Sequence, residues 1–169
     1  MKVKIKMLHK LAATPYKAHS SDLCYDCVAV SEEEVAPNVW KYGLGIALQI
    51  ERNPETMIVT TTCNGKMRQH YTKMDFSRSP LNLSIDLRPR SSVWKTGMVL
   101  SNCEGTIDEN YTGEISAVFY HIMTDMPRYK VGDRIGQIKL GVAIPMEFEE
   151  VAELEETDRG TKGYGSTGK

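Results

Sequence analysis

The sequence of 169 residues predicts an all-β domain, a barrel or sandwich built from short strands. Three observations predict it. Alternating or β-branched segments recur at 3–7, 21–30, 44–50, 57–63, 98–101, 114–120 and 134–143. Turn residues stand between most of them, at Pro37-Asn38, Asn53-Pro54, Asn64-Gly65, Asn110 and Val131-Gly132-Asp133. No segment sustains the i, i+3, i+4, i+7 apolar stripe of a helix over three turns.

The first segment, Met1-Lys2-Val3-Lys4-Ile5-Lys6-Met7, alternates apolar and basic residues. That is the period of a strand, not the continuous apolar run of a signal peptide. Residues 21–30 read as extended and enclose Cys24-Tyr25-Asp26-Cys27, a spacing that suits zinc or thiol redox chemistry. A structural zinc site needs a second ligand pair, and Cys63 and Cys103 stand alone. A redox pair needs a helix start after its first cysteine, which an extended segment lacks. Free, partly buried thiols in a reducing compartment are the reading. Residues 56–63 lead through Asn64-Gly65 into 66–72. Asn-Gly accepts positive φ at both central positions of a type I′ turn, so this stretch is a β-hairpin.

A chain of 19.0 kDa with 41% hydrophobic residues makes one compact domain that needs no staples. Charged residues are 25% of the total, mixed in sign, and sum to −1. This excludes disorder and a nucleic-acid binder that works by bulk positive charge. No apolar run approaches the roughly 20 residues of a membrane span, so the cytoplasm is the expected compartment.

Three stretches carry chemistry. In Leu87-Arg88-Pro89-Arg90-Ser91-Ser92, Pro89 keeps its predecessor extended and ends a strand. Ser91 or Ser92 then caps a short helical turn through Val93-Trp94-Lys95, stopped at Gly97. A capped turn with a free hydroxyl and an arginine suits an anion. Residues 102–115 read as a hairpin whose tip, 108–111, carries an acid and an aromatic ring. Taken singly, Asp108 is a turn residue or a carboxylate that orients and deprotonates water, and Tyr111 a packed hairpin aromatic. The last stretch, 159–169, holds four of the 13 glycines. It reads as a flexible tail, or as a lid whose N–H groups, hydroxyls and Arg159 suit a phosphate chain while Tyr164 stacks on a base.

In order, five pieces resemble the motifs of the trimeric dUTPase family. They are Ser20-Ser21-Asp22-Leu23, Pro89-Arg90-Ser91-Ser92, and Gly105-x-Ile107-Asp108-x-x-Tyr111-x-Gly113. Gly132-Asp133-Arg134-Ile135-Gly136-Gln137-Ile138 and Arg159-Gly160-x-x-Gly163-Tyr164-Gly165-Ser166-Thr167-Gly168 complete the set. The resemblance covers about 1–169, interrupted between about 51 and 86. It implies a distorted jelly-roll-like β-barrel over 1–156, a closing tail over 157–169, and a homotrimer with active sites built from neighbouring subunits. It implies hydrolysis of dUTP to dUMP and pyrophosphate with Mg²⁺, which the family binds mainly through the triphosphate and water.

By the same resemblance, Asp108 contacts the deoxyribose 3′-hydroxyl and orients the attacking water. Tyr111 packs under the sugar and leaves no room for a 2′-hydroxyl. Asn102, with the chain at Gly105 and Ile107, reads the uracil edge. Arg90, Ser91 and Gln137 contact phosphates. In the tail, Arg159, Ser166 and Thr167 hold the γ-phosphate, Tyr164 stacks on uracil and Gly165 completes the contact. Asp22 stands near Mg²⁺, through water.

The chain departs from the family pattern in three places. His19-Ser20 stands where the family has Ala-Gly, and Tyr164 where it usually has Phe. The 51–86 connection is long, holding the Asn64-Gly65 hairpin and Lys66, Arg68, Lys73 and Arg78. It is either a plain surface insertion or a docking arm for a protein partner. Two rival readings are a dCTP deaminase, mono- or bifunctional, which shares the fold, and, from a different class, a nucleotide-sensing regulator acting through the insertion. The Asp108 and Tyr111 pair favours the pyrophosphatase.

Overall fold

The computed structural model describes residues 1–52, 54–63, 66–75, 81–161 and 163. In chain order its strands are β1 (Lys2–Met7), β2 (Tyr25–Val28), β3 (Ser31–Ala36), β4 (Val39–Gly43), β5 (Ile46–Glu51), β6 (Pro54–Cys63) and β7 (Lys66–Asp75). They continue as β8 (Asn82–Pro89), β9 (Met98–Leu100), β10 (Gly105–Asp108), β11 (Ser116–His121) and β12 (Arg134–Ala143), with a 3-10 helix at Ser91–Thr96. Two four-stranded antiparallel sheets, β10-β8-β12-β2 and β3-β4-β11-β9, share a core with the β1-β5 pair, and β6-β7 stands as its own ribbon. The all-β expectation holds. Among the described residues no helix is long and apolar enough to cross a membrane.

The core follows from period-2 patterning. In β8, Leu83, Ile85 and Leu87 are buried on one face, while Arg88 is exposed. Pro89, with no N–H to give, ends the strand. Tyr42 and Phe119 lie fully buried opposite, with Tyr129, in an edge-to-face cluster at 5.5–6.3 Å. The Tyr42 hydroxyl donates to the Tyr129 carbonyl at 2.9 Å, so its burial strands no polar group.

Several expectations change. The extended 21–30 segment shrinks to β2 because residues 19–22 close a turn, the Asp22 N–H donating to the His19 carbonyl at 3.0 Å. The β3-β4 hairpin was not predicted, since Glu32-Glu33-Glu34 hides the alternation. The 102–115 hairpin is corrected: β10 pairs with β8, and β11 pairs with β4 and β9 in the other sheet. The 108–111 turn therefore crosses between sheets. Within the 51–86 span, β6 and β7 pair from Pro54↔Asp75 to Cys63↔Lys66, as a two-residue connection requires. Asn64, Gly65 and Arg78 lie outside the described residues. Residues 82–86 belong to β8, in the interior of its sheet between β10 and β12.

Candidate active site

The 108–111 turn is built from its own residues. β10 ends at Asp108, opposite Ser84 of β8, and the Tyr111 N–H donates to the Asp108 carbonyl at 2.9 Å. The Tyr111 hydroxyl donates to the Glu114 carbonyl at 3.0 Å, which lays the ring back along the chain. Gly113 makes room for it: a Cβ there would stand 2.5 Å from the Tyr111 hydroxyl oxygen. Glu114 accepts the Gly45 N–H at 2.8 Å, and Ile115 exchanges backbone bonds with Leu44 and Ile46 at 3.0 and 2.9 Å. The chain leaving the turn is thus stitched to the β4-β5 junction.

Beside this turn opens a cleft of about 320 Å³. Its lining includes Asn102, Gly105, Ile107, Asp108 and Tyr111, the residues that the resemblance to the dUTPase family had selected. Leu87, Ile115 and Ala117, all buried, give it an apolar floor, while Asn102, Thr106 and Asp108 supply polar groups. Few polar groups over an apolar floor is the usual make-up of a small-molecule site. Glu114 and Ser116 also line it; sequence reasoning passed over them because neither residue type marks a motif.

Arg90, Ser91 and Gln137 form a second group beyond the other end of β8. Arg90 Nε donates to Asp26 Oδ1 at 3.0 Å, and Arg134 Nη1 to Asp26 Oδ2 at 3.2 Å. Asp26 was missed as a site residue because 64 positions separate it from Arg90. Gln137 Nε2 donates to the Pro89 carbonyl at 3.4 Å. Ser91 opens the 3-10 helix, and Gly97 stops it in the left-handed region at φ 61°. The expected serine cap is corrected: Arg90 holds the N-cap position, with no side-chain cap bond. Six residue steps along β8 separate the partner of Asp108 from Arg90, about 20 Å at roughly 3.3 Å per residue.

The other predicted residues lie elsewhere. Asp22 Oδ2 accepts the His19 N–H at 2.9 Å within its local turn. Arg159 is exposed beside a turn in which the Gly160 N–H donates to the Thr157 carbonyl at 2.9 Å. Tyr164, Gly165, Ser166 and Thr167 lie outside the described residues. Among the described residues no cluster of three or more His, Cys, Asp or Glu side chains could cage a metal ion. Burial, then the Asp26 charge, pushes the Cys27 thiol up to about 12, so it is no nucleophile.

The chain is similar to known proteins along nearly its whole length. A deoxyuridine 5′-triphosphate nucleotidohydrolase of Corynebacterium glutamicum is 31% identical over 170 residues, 99% of this chain and 95% of that one. One from Gloeothece citriformis is 30% identical, covering 99% and 97%. The fold is that of the dUTPase of Staphylococcus bacteriophage 80alpha solved with dUpNHpp, at a TM-score of 0.69 and 21% identity, covering 99% and 98%. The dUTPase of phage phi11 of S. aureus, which has a species-specific insert, gives 0.62 at 17% identity, covering 93% and 100%. The family model described as dUTPase matches residues 47–168, the stretch that holds the cleft, the Arg90 group and the tail, and on that match the chain belongs to the dUTPase family.

Proposed function

We propose that the chain hydrolyses dUTP to dUMP and pyrophosphate in the cytoplasm, by water attack on the α-phosphorus within a homotrimer. The observation that carries this reading is the convergence of Asn102, Gly105, Ile107, Asp108 and Tyr111 on one cleft. Asp108 orients the water and takes its proton. The Tyr111 ring, held by Glu114, lies under the deoxyribose and excludes a 2′-hydroxyl. Asn102 and the chain at Gly105 and Ile107 read the uracil edge, where cytosine would set a donor against a donor. Arg90, steadied by Asp26, acts with Ser91 and Gln137 on the phosphates, in the manner of preorganised charge.

About 20 Å of strand separates Asp108 from Arg90, yet both must serve one triphosphate. A neighbouring subunit supplies the Arg90 group under this reading. The exposed run Ile144, Met146, Phe148 and Leu154, at 77–87% exposure, also calls for a covering partner. The barrel, 1–156, carries the sites, and the 157–169 tail closes over them through Arg159, Tyr164, Gly165, Ser166 and Thr167. Mg²⁺ would supply charge neutralisation on the phosphate oxygens. As the described residues hold no caging cluster, it would be carried on the triphosphate, and Asp22 is the residue that would hold it through water. A phi11 phage dUTPase coordinates a structural Mg(II) ion.

The test is pyrophosphate release from dUTP, dCTP, dTTP and UTP in parallel, with the trimer verified by mass. Turnover of dUTP alone is expected; turnover of dCTP with ammonia release, or of none, overturns the assignment. A protein partner docked on the β6-β7 hairpin is supported by the phage 80alpha dUTPase, described as controlling transfer of virulence genes. Deleting 56–72 then abolishes partner binding and spares turnover; a deletion that changes neither ends this second reading.

A further inference from the structure

The inserted hairpin leaves the barrel at Arg52 and returns at Leu81, and the Arg52 side chain joins both ends to Glu109 of the 108–111 turn. Arg52 Nε donates to Glu109 Oε1 at 2.5 Å, and its Nη2 to Glu109 Oε2 at 2.5 Å. The same Nη2 donates to the Leu81 carbonyl at 2.9 Å. One guanidinium therefore ties the two roots of the insertion to the residue that follows Asp108. The pair is 22% and 23% exposed, shielded and two-pronged, unlike a mobile surface pair. The Arg52 bond, opposed by partial burial and helped by the Leu83 N–H, holds the Glu109 carboxyl below its ordinary range.

We propose that Arg52 is a positioning residue for Asp108, acting through Glu109, and that it makes the β6-β7 hairpin a handle on the hydrolytic cleft. The inference rests on the reading of Asp108 as the water-orienting carboxylate. Both Glu109 oxygens are held in one fork, so a turn movement that displaces the Glu109 side chain strains two charge-assisted bonds. The roots of the insertion cannot shift without pulling on the same fork. A protein that strains the hairpin would be felt at Asp108, and closure of the turn on nucleotide would be felt at the hairpin.

The test compares steady-state kcat and KM for dUTP, with Tm, in the trimeric enzyme. Arg52→Ala and Glu109→Ala should each lower kcat about 10- to 100-fold, the range for a reacting group displaced by about 1 Å. KM should stay within about twofold, because a group placed for the transition state alone is lost. The double variant should be no worse than the poorer single, since the two act as one unit. Arg52→Lys, keeping charge but losing the fork, should recover part of kcat.

Arg128→Ala is the control. It breaks the Glu32–Arg128 pair, 16% and 25% exposed, and should lower Tm without changing kcat. An Arg52→Ala enzyme that behaves like this control, or singles that add, overturns the proposal. If Arg52→Ala does not assemble, Glu109→Gln and Arg52→Lys make the same comparison. Asp108→Asn separates the two levels. If it keeps wild-type turnover, the reading of Asp108 falls and the inference with it. If it is inactive while Arg52→Ala is normal, only the inference falls.

Discussion

Replacing Gly113 with alanine puts a methyl group where Tyr111 already sits. The added Cβ would stand 2.5 Å from the Tyr111 hydroxyl oxygen, 2.6 Å from Cζ and 3.0 Å from Cε2. Ordinary contacts are about 3.5–4.0 Å, so the ring must retreat by about 1 Å. Gly113 is not among the described glycines at positive φ, so alanine brings no backbone strain. The ring is 49% exposed and can retreat into water, so the core is not overpacked. What is lost is the Tyr111–Glu114 bond, about 1 kcal/mol. For a chain of this size that lowers Tm by about 2–4 °C. Under the proposed placement of the ring beneath the sugar the kinetic effect is larger, because a shift of about 1 Å there costs up to roughly 100-fold. Gly113→Ala should therefore lower kcat/KM for dUTP by about 10- to 100-fold and reduce its preference over UTP, which the displaced ring no longer blocks. Thermal unfolding and pyrophosphate release on both nucleotides measure it. An unchanged dUTP/UTP ratio refutes the placement of Tyr111, and a Tm loss above about 10 °C refutes the claim that the ring moves freely.

Three further outcomes are expected. Asp108→Asn should lower kcat about 10²- to 10⁴-fold with dUTP binding largely kept, measured by turnover and calorimetry; wild-type turnover would mean another carboxylate serves the water. Removing the chain after Asp158 should abolish most turnover and leave the trimer folded, checked by mass and unfolding; a monomer would show the tail to be structural. Arg128, first by its hydrogen bond, holds the Glu32 carboxyl below its ordinary range. That pair stabilises fully above the ordinary carboxylate pKa of about 4.3 and is lost as pH falls through the lower folded value. The Tm gap between wild type and Arg128→Met should therefore be wide at pH 6 and shrink toward pH 3; a gap constant with pH refutes the pairing.

The cleft was legible in the sequence because 105–113 resembles a dUTPase motif, and its residues, Asn102 to Tyr111, span only ten positions. The partners that orient the remaining groups were not legible. Asp26 meets Arg90 across 64 positions, and Arg52 meets Glu109 across 57. No local pattern distinguishes such charges from solvated ones. The hairpin drawn at 102–115 failed for the same reason: β10 takes its hydrogen bonds from β8, 18 to 24 residues upstream. β12 was placed to the residue, its bounds at Arg134 and Ala143 matching the segment read from the sequence.

The cleft residues were grouped by resemblance to a family, while by itself the sequence determined the all-β class, the extent of β12 and the β6-β7 hairpin. These depend on period-2 alternation, on turn chemistry and on neighbours within a few residues, all of which act before the chain has folded. The tertiary structure alone decided which strands share a sheet, that Asp108 and Arg90 stand at opposite ends of β8, and that the insertion is tied to the 108–111 turn. Strand partnership and ion pairing between distant positions depend on how apolar faces close over one core. That closure is a property of the whole chain, and no segment encodes it alone.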